Sequence, residues 1–127
     1  MLQRGDQVPR FTVMTTEGAR VSYADLWQHE NLLLIALPAR ADATAAEYAA
    51  RVKDLLAGLP ADDTVYVVTH DSVPALGAPG ALVADRWGEI QFVTETASVT
   101  DLPSPQDLVD WVQHVQHACP ECEGEAR

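Results

Sequence analysis

The run Leu32-Leu33-Leu34-Ile35-Ala36-Leu37 holds no polar residue. A strand with one wet face alternates apolar and polar side chains, so continuous apolarity over this length marks a strand buried on both faces of a sheet. The rest of the chain has to be arranged around it. Pro38 stops the run, and a loop of small residues follows. From Asp42 to Leu59 the apolar positions Ala45, Tyr48, Ala49, Val52, Leu55, Leu56 and Leu59 recur at helical spacing. Asp42 or Thr44 can cap this helix, and Gly58 with Pro60 ends it. The stretch from Asp63 to Thr69 is short, β-branched and aromatic, which marks a second central strand. Strand, helix and strand make a βαβ unit with parallel strands and a right-handed crossover.

On either side of this unit the patterns change. Phe11–Thr15 and Ala19–Ser22 flank a Gly-containing turn and are expected to pair as a hairpin, with Ser22 capping a helical turn through Trp27. His70 to Pro79 reads as a loop. Gly80–Asp85 is a third apolar strand, Asp85–Gly88 a hairpin turn organised by Asp85, and Glu89–Thr94 an alternating strand running back antiparallel. Ser104 caps and Pro105 opens a last helix with the stripe Leu108, Trp111, Val112 and Val115, which Cys119 would continue. Trp27, Trp87 and Trp111 are expected as core or interface anchors. His70 falls at the C-terminal end of a strand, where parallel sheets keep their sites, although an exposed strand-end histidine is the commoner case.

A chain of 127 residues that is 47% hydrophobic can bury one core, so residues 1–118 are expected to form a single domain, with 119–127 as a tail. Nineteen acidic residues against eight basic ones give a net charge of -11. That excess argues against nucleic acid or an anionic membrane as a partner. No stretch has the roughly 20 apolar residues of a membrane span, and the N-terminus has no apolar leader core, so a cytoplasmic location is expected. Phosphate loops, paired hydrolase carboxylates and Ser-His-Asp patterns are absent from the sequence.

Three motifs in order resemble a known family. Gly5-Asp6-Gln7-Val8-Pro9-Arg10-Phe11 is similar to the G-x-x-x-P-x-F opening of redoxin domains. Glu17 to Leu26 is similar to their D-G-x-x-V-S-L-x-D-L segment, with Tyr23 at the leucine that directly follows the serine. PGALVADRWG, Pro79 to Gly88, resembles the thioredoxin-like P-T-T-F-L-I-D-x-x-G. Together with the order of elements, the chain resembles the thioredoxin fold in its redoxin, AhpC/TSA-type (peroxiredoxin-like) form. The resemblance implies an α/β, three-layer fold: a mixed central sheet with an N-terminal β hairpin, a βαβ unit, a ββ hairpin and a C-terminal helix. It also implies a cis-proline at Pro79 beside the place where substrate lies.

The chemistry departs from that pattern. Helix N-terminal amides stabilise a thiolate, and the family's P-x-x-x-T-x-x-C motif exploits them. Counted from Pro38, this motif puts Asp42 at the threonine and Ala45 at the cysteine, and a C-x-x-C alignment would fall near Ala41 to Thr44. Neither alignment finds sulfur, so the loop Pro38, Arg40, Asp42, Thr44, Ala45 reads as a degenerate site, Arg40 matching the family's thiolate-stabilising arginine only formally. The expected function is therefore a binding, accessory or redox-linked redoxin-like protein without peroxidase activity.

Both cysteines stand in Cys119-Pro120-Glu121-Cys122, after a helix instead of before one. A helix C-terminus raises a thiol's pKa, which makes this pair a poor nucleophile. Three readings remain open: a reversible disulfide pair, serving a thiol-disulfide oxidoreductase if the protein is an enzyme; a zinc site from His114, His117, Cys119 and Cys122, made more easily by two chains; and no role beyond packing. No other cofactor is implied. A protein partner and a homodimer are compatible with the sequence, which identifies neither.

Overall fold

The computed structural model describes residues 2–38, 42–59 and 63–117. Its centre is a four-stranded sheet of order β4-β3-β5-β6, built from β3 (Asn31–Ala36), β4 (Thr64–Thr69), β5 (Gly80–Ala84) and β6 (Ile90–Glu95). The apolar run is β3. It pairs in parallel with β4 (Leu33 opposite Tyr66) and antiparallel with β5 (Leu34 opposite Leu82), so it has a strand on each side. Every one of its residues is buried, and Leu32, Leu33, Leu34 and Ile35 expose nothing. Burying each such side chain stabilises the fold by roughly 1.5–3 kcal/mol.

The two faces of β3 feed two cores. Leu33 and Ile35, with Leu37, pack against α1 (Ala43–Ala57) through Ala45 and Val52, and against α2 (Pro105–His117) through Leu108, Val109, Val112 and Val115. Both helices thus lie on one face. Leu32, Leu34 and Ala36 face the other way, onto the hairpin β1 (Thr12–Met14) and β2 (Arg20–Ser22), the N-terminal residues Leu2, Val8 and Phe11, and Val73 and Leu76 of the loop after β4. The layers are helices, sheet, and a cover of hairpin and loops.

Local chemistry accounts for most boundaries. Asp42 is the cap of α1, its Oδ1 accepting the Ala45 N–H at 2.7 Å. Ser104 Oγ accepts the Asp107 N–H at the start of α2. Asp85 Oδ1 accepts the amides of Trp87 and Glu89, and Gly88 takes the left-handed φ of +84° that closes this turn.

Several expectations need correction. Ser22 precedes a 3-10 turn, Tyr23–Asp25, but makes no side-chain cap; its hydroxyl pairs instead with that of Thr12 across the hairpin. Of the core-or-interface expectation for the tryptophans, the core half does not hold for Trp27 and Trp87. They are 45% and 43% exposed, held together by a hydrogen bond from Trp27 Nε1 to the Trp87 carbonyl. Trp111 alone packs inward, stacked on Phe92 with centroids 5.2 Å apart. Gly58 ends α1 in a right-handed conformation (φ -83°), so its glycine freedom is not used. A second 3-10 turn, Val99–Asp101, leads into α2 where no regular structure was expected.

Candidate functional site at the N-terminus of α1

Because β3 and β4 are parallel, their C-terminal ends emerge together, and the bond from Leu37 N–H to the Thr69 carbonyl carries the ladder past both strand ends. His70 follows at once. Its Nδ1 lies 2.6 Å from the Pro38 carbonyl oxygen, which can only accept, so Nδ1 carries the proton and Nε2 is left as the other ring nitrogen. On the other side of β3, the Ala78–Pro79 peptide bond is cis and Gly80 pairs with Ala36. Pro38, His70 and Pro79 therefore surround the end of the buried strand.

The first turn of α1 closes this corner. Asp42 is extended (φ -137°, ψ 166°); besides capping Ala45, its backbone carbonyl accepts the Ala46 N–H at 3.1 Å. Beside it is a cavity of about 290 Å³. Leu37, Ala45, Ala46, Ala49 and Val68 supply its apolar lining, and Asp42, His70, Tyr66, Thr16, Glu17 and Lys53 its polar lining. Ala45, at the position where the family motif has its cysteine, is 2% exposed. Its amide donates to the Asp42 carboxylate.

The polar lining is largely committed to structure. The Tyr66 hydroxyl donates to the Ala49 carbonyl at 2.9 Å, and burial, with smaller effects of Tyr48 and Glu17, lifts its pKa above the ordinary tyrosine range. Lys53 Nζ meets Glu17 Oε1 at 2.8 Å, tying α1 to the hairpin turn. The hydrogen bond to Glu17, then its charge, raises the Lys53 pKa, although side chains 60% and 69% exposed make this a weak link.

The sequence-derived site residues are only partly brought together. Pro38, Asp42, Thr44, Ala45 and Pro79 gather around the end of β3 and the start of α1. His114 and His117 are exposed in the last turn of α2, with His114 edge-on to Trp111 at 5.5 Å. Arg40, Cys119 and Cys122 lie outside the described residues. Among the described residues no group of three or more His, Cys, Asp or Glu side chains could hold a metal ion. Glu17, Lys53 and Tyr66 come to the cavity from three elements and carry no local pattern that would have marked them. His70 carried one, its place at a strand's C-terminal end.

No family model matches the sequence, and no curated protein matches it. Solved structures do. A 2-Cys peroxiredoxin from Plasmodium vivax superposes with a TM-score of 0.72 at 10% identity, over 92% of this chain and 83% of that one. A peroxiredoxin-like protein from Aquifex aeolicus gives 0.64 at 12% identity, over 90% and 88%. The thioredoxin domain of a thiol-disulfide oxidoreductase from Bacteroides vulgatus gives 0.62 at 14%, over 90% and 98%. At such identities the likeness speaks for backbone architecture, and the chain has a thioredoxin-like fold, shared with peroxiredoxin-like and thiol-disulfide oxidoreductase structures.

Proposed function

We propose that this is a redoxin-like binding protein whose α1 N-terminal cavity has given up thiol chemistry. The observation that carries the reading is the Ala45–Asp42 pair. The position expected to bear sulfur is a buried alanine, and the amide behind it is capped by an internal carboxylate at 2.7 Å. An alanine cannot act as nucleophile. A negative charge already held at the helix N-terminus also opposes a second anion there. What is left is a mostly apolar cavity bordered by His70 and Asp42, suited to holding a small group.

The test is turnover of hydrogen peroxide and of insulin disulfides, with dithiothreitol as reductant, by the full chain and by its Cys119→Ser/Cys122→Ser variant. Both proteins are expected to match the buffer blank. Activity in the unmodified chain that disappears in the variant would overturn the reading in favour of an oxidoreductase working through Cys119 and Cys122.

A further inference from the structure

We infer that the outer edge of β6 and the groove beside it form a docking surface for an extended, basic segment of a partner protein. The inference goes beyond the cavity at α1 and shares no residue with it. In the order β4-β3-β5-β6, β6 is an edge strand. Leu32, Leu34 and Ala36 direct their main-chain groups to β5, because Asn31 and Leu37 bond to the β4 side. The alternation then sends Ala81 and Val83 toward Thr94 and Phe92, leaving the N–H and C=O of Val93 and Glu95 on the outer edge. No backbone bond to either outer group is made among the described residues. An edge of this kind is a template for another strand.

The chain itself shows how the edge is used. Its N-terminal segment runs antiparallel to the start of β6: Gly5 N–H donates to the Ile90 carbonyl at 2.8 Å, and Ile90 N–H to that of Asp6 at 2.9 Å. The segment leaves the edge there, and Arg4 places its guanidinium 5.9 Å from the centroid of Trp111. Backbone on the edge with an arginine over the aromatic residue is thus a pairing that the surface already accepts.

Beyond Ile90 the groove is wider. It is an open depression of about 700 Å³ between β6 and α2, with the stacked Phe92 and Trp111 and the carboxylates of Asp101, Asp107 and Asp110 in its lining. The two ion pairs found among the described residues lie elsewhere, so none of these three carboxylates is in direct contact with a lysine or arginine there. Asp110 and Asp101 accept only neutral donors, Gln106 and Ser98. Aromatic faces beside carboxylates without an ion-pair partner complement guanidinium and ammonium groups. A second copy of this chain, with its net charge of -11, would bring like charge to the same place.

The probe is an acetylated octapeptide of alternating arginine and threonine, titrated into the full chain by calorimetry, with alternating glutamate and threonine as its counterpart. The arginine peptide is expected to bind and the glutamate peptide to give no heat. Asp107→Asn/Asp110→Asn should weaken binding at least about tenfold, the scale of losing one charge-assisted hydrogen bond. Asp25→Asn/Glu47→Gln, the same charge change on exposed residues outside the groove, should leave it within about twofold. Val93→Pro removes one outward N–H without breaking the ladder to β5, as proline on an edge strand allows, and should cost a similar tenfold. Equal loss in both charge-neutralising variants, or unaltered binding by Val93→Pro, would reduce the interaction to bulk attraction and overturn the proposal. So would sedimentation showing that the β6 edge is closed by a second copy.

Discussion

At the scale of single residues, Ala45 and Tyr23 are both buried, one with its amide held by a carboxylate and the other with a hydroxyl that has no partner among the described residues. Placing sulfur at position 45 should not by itself create a reactive thiol. In Ala45→Cys the new side chain would be enclosed, beside the Asp42 carboxylate that already takes its amide. Burial and a like charge both disfavour a thiolate, so its pKa is expected above the roughly 8.5 of a free cysteine. Adding Asp42→Thr, the residue of the family motif, should bring it down by about one unit, because the cap persists without the charge. The pH dependence of iodoacetamide alkylation measures both, and a thiol in Ala45→Cys that titrates below 7 would contradict this account. Tyr23 offers the opposite case. Its ring stacks on Phe11 at 5.5 Å, yet its buried hydroxyl has no hydrogen-bond partner among the described residues, and burial, with a smaller effect of Asp85, pushes its pKa up to about 12. A buried donor without an acceptor costs about 1–3 kcal/mol. Tyr23→Phe should therefore leave the urea midpoint unchanged or raise it by the equivalent of about 1 kcal/mol; a clear loss would reveal a partner for the hydroxyl.

At the scale of elements, β3 and the start of β5 hold the site in place. Leu34 is fully buried among side chains from the hairpin and the N-terminal segment, so Leu34→Ala is expected to cost about 2–5 kcal/mol in urea unfolding. Gly80 follows the cis-proline where the chain passes close to itself. A Cβ there would run into the Gly77 carbonyl, backbone against backbone, so Gly80→Ala should destabilise the fold while Gly58→Ala, with only ordinary contact to the Leu55 carbonyl, is tolerated. Comparing the two variants' unfolding midpoints separates close approach from a general aversion to replacing glycine. The allocation of β3 side chains between two cores was not legible in the sequence. When both halves of a period-two pattern are apolar, nothing in the run says which half meets helices and which meets the hairpin.

For the molecule as a whole, the tyrosines set a limit on stability at high pH. Burial is the main cause that raises Tyr23 and Tyr48 to about 12 and moves Tyr66 in the same direction. The folded chain keeps these protons where the unfolded chain, with values near 10, releases them. Stability from this source is thus complete below about pH 10 and is lost as pH rises toward the folded values. Urea midpoints are expected to be flat from pH 7 to 9 and to fall between about 10 and 12, together with the tyrosinate absorbance; a midpoint rising in that window would reverse the assignment. Sequence alone determined the order of the main strands and helices, the buried strand, the cap at Ser104, and the absence of sulfur from the junction after Pro38, because periodicity, capping and covalent identity are local properties, while the choice of Asp42 over Thr44 as the cap of α1 came from the structure. Tertiary structure decided that both helices share one face, that Trp27 and Trp87 remain exposed, and that His70, Tyr66, Glu17 and Lys53 meet Ala45 around one cavity. Those facts depend on contacts between residues far apart in the chain, and such contacts leave no periodic trace in the segments that make them.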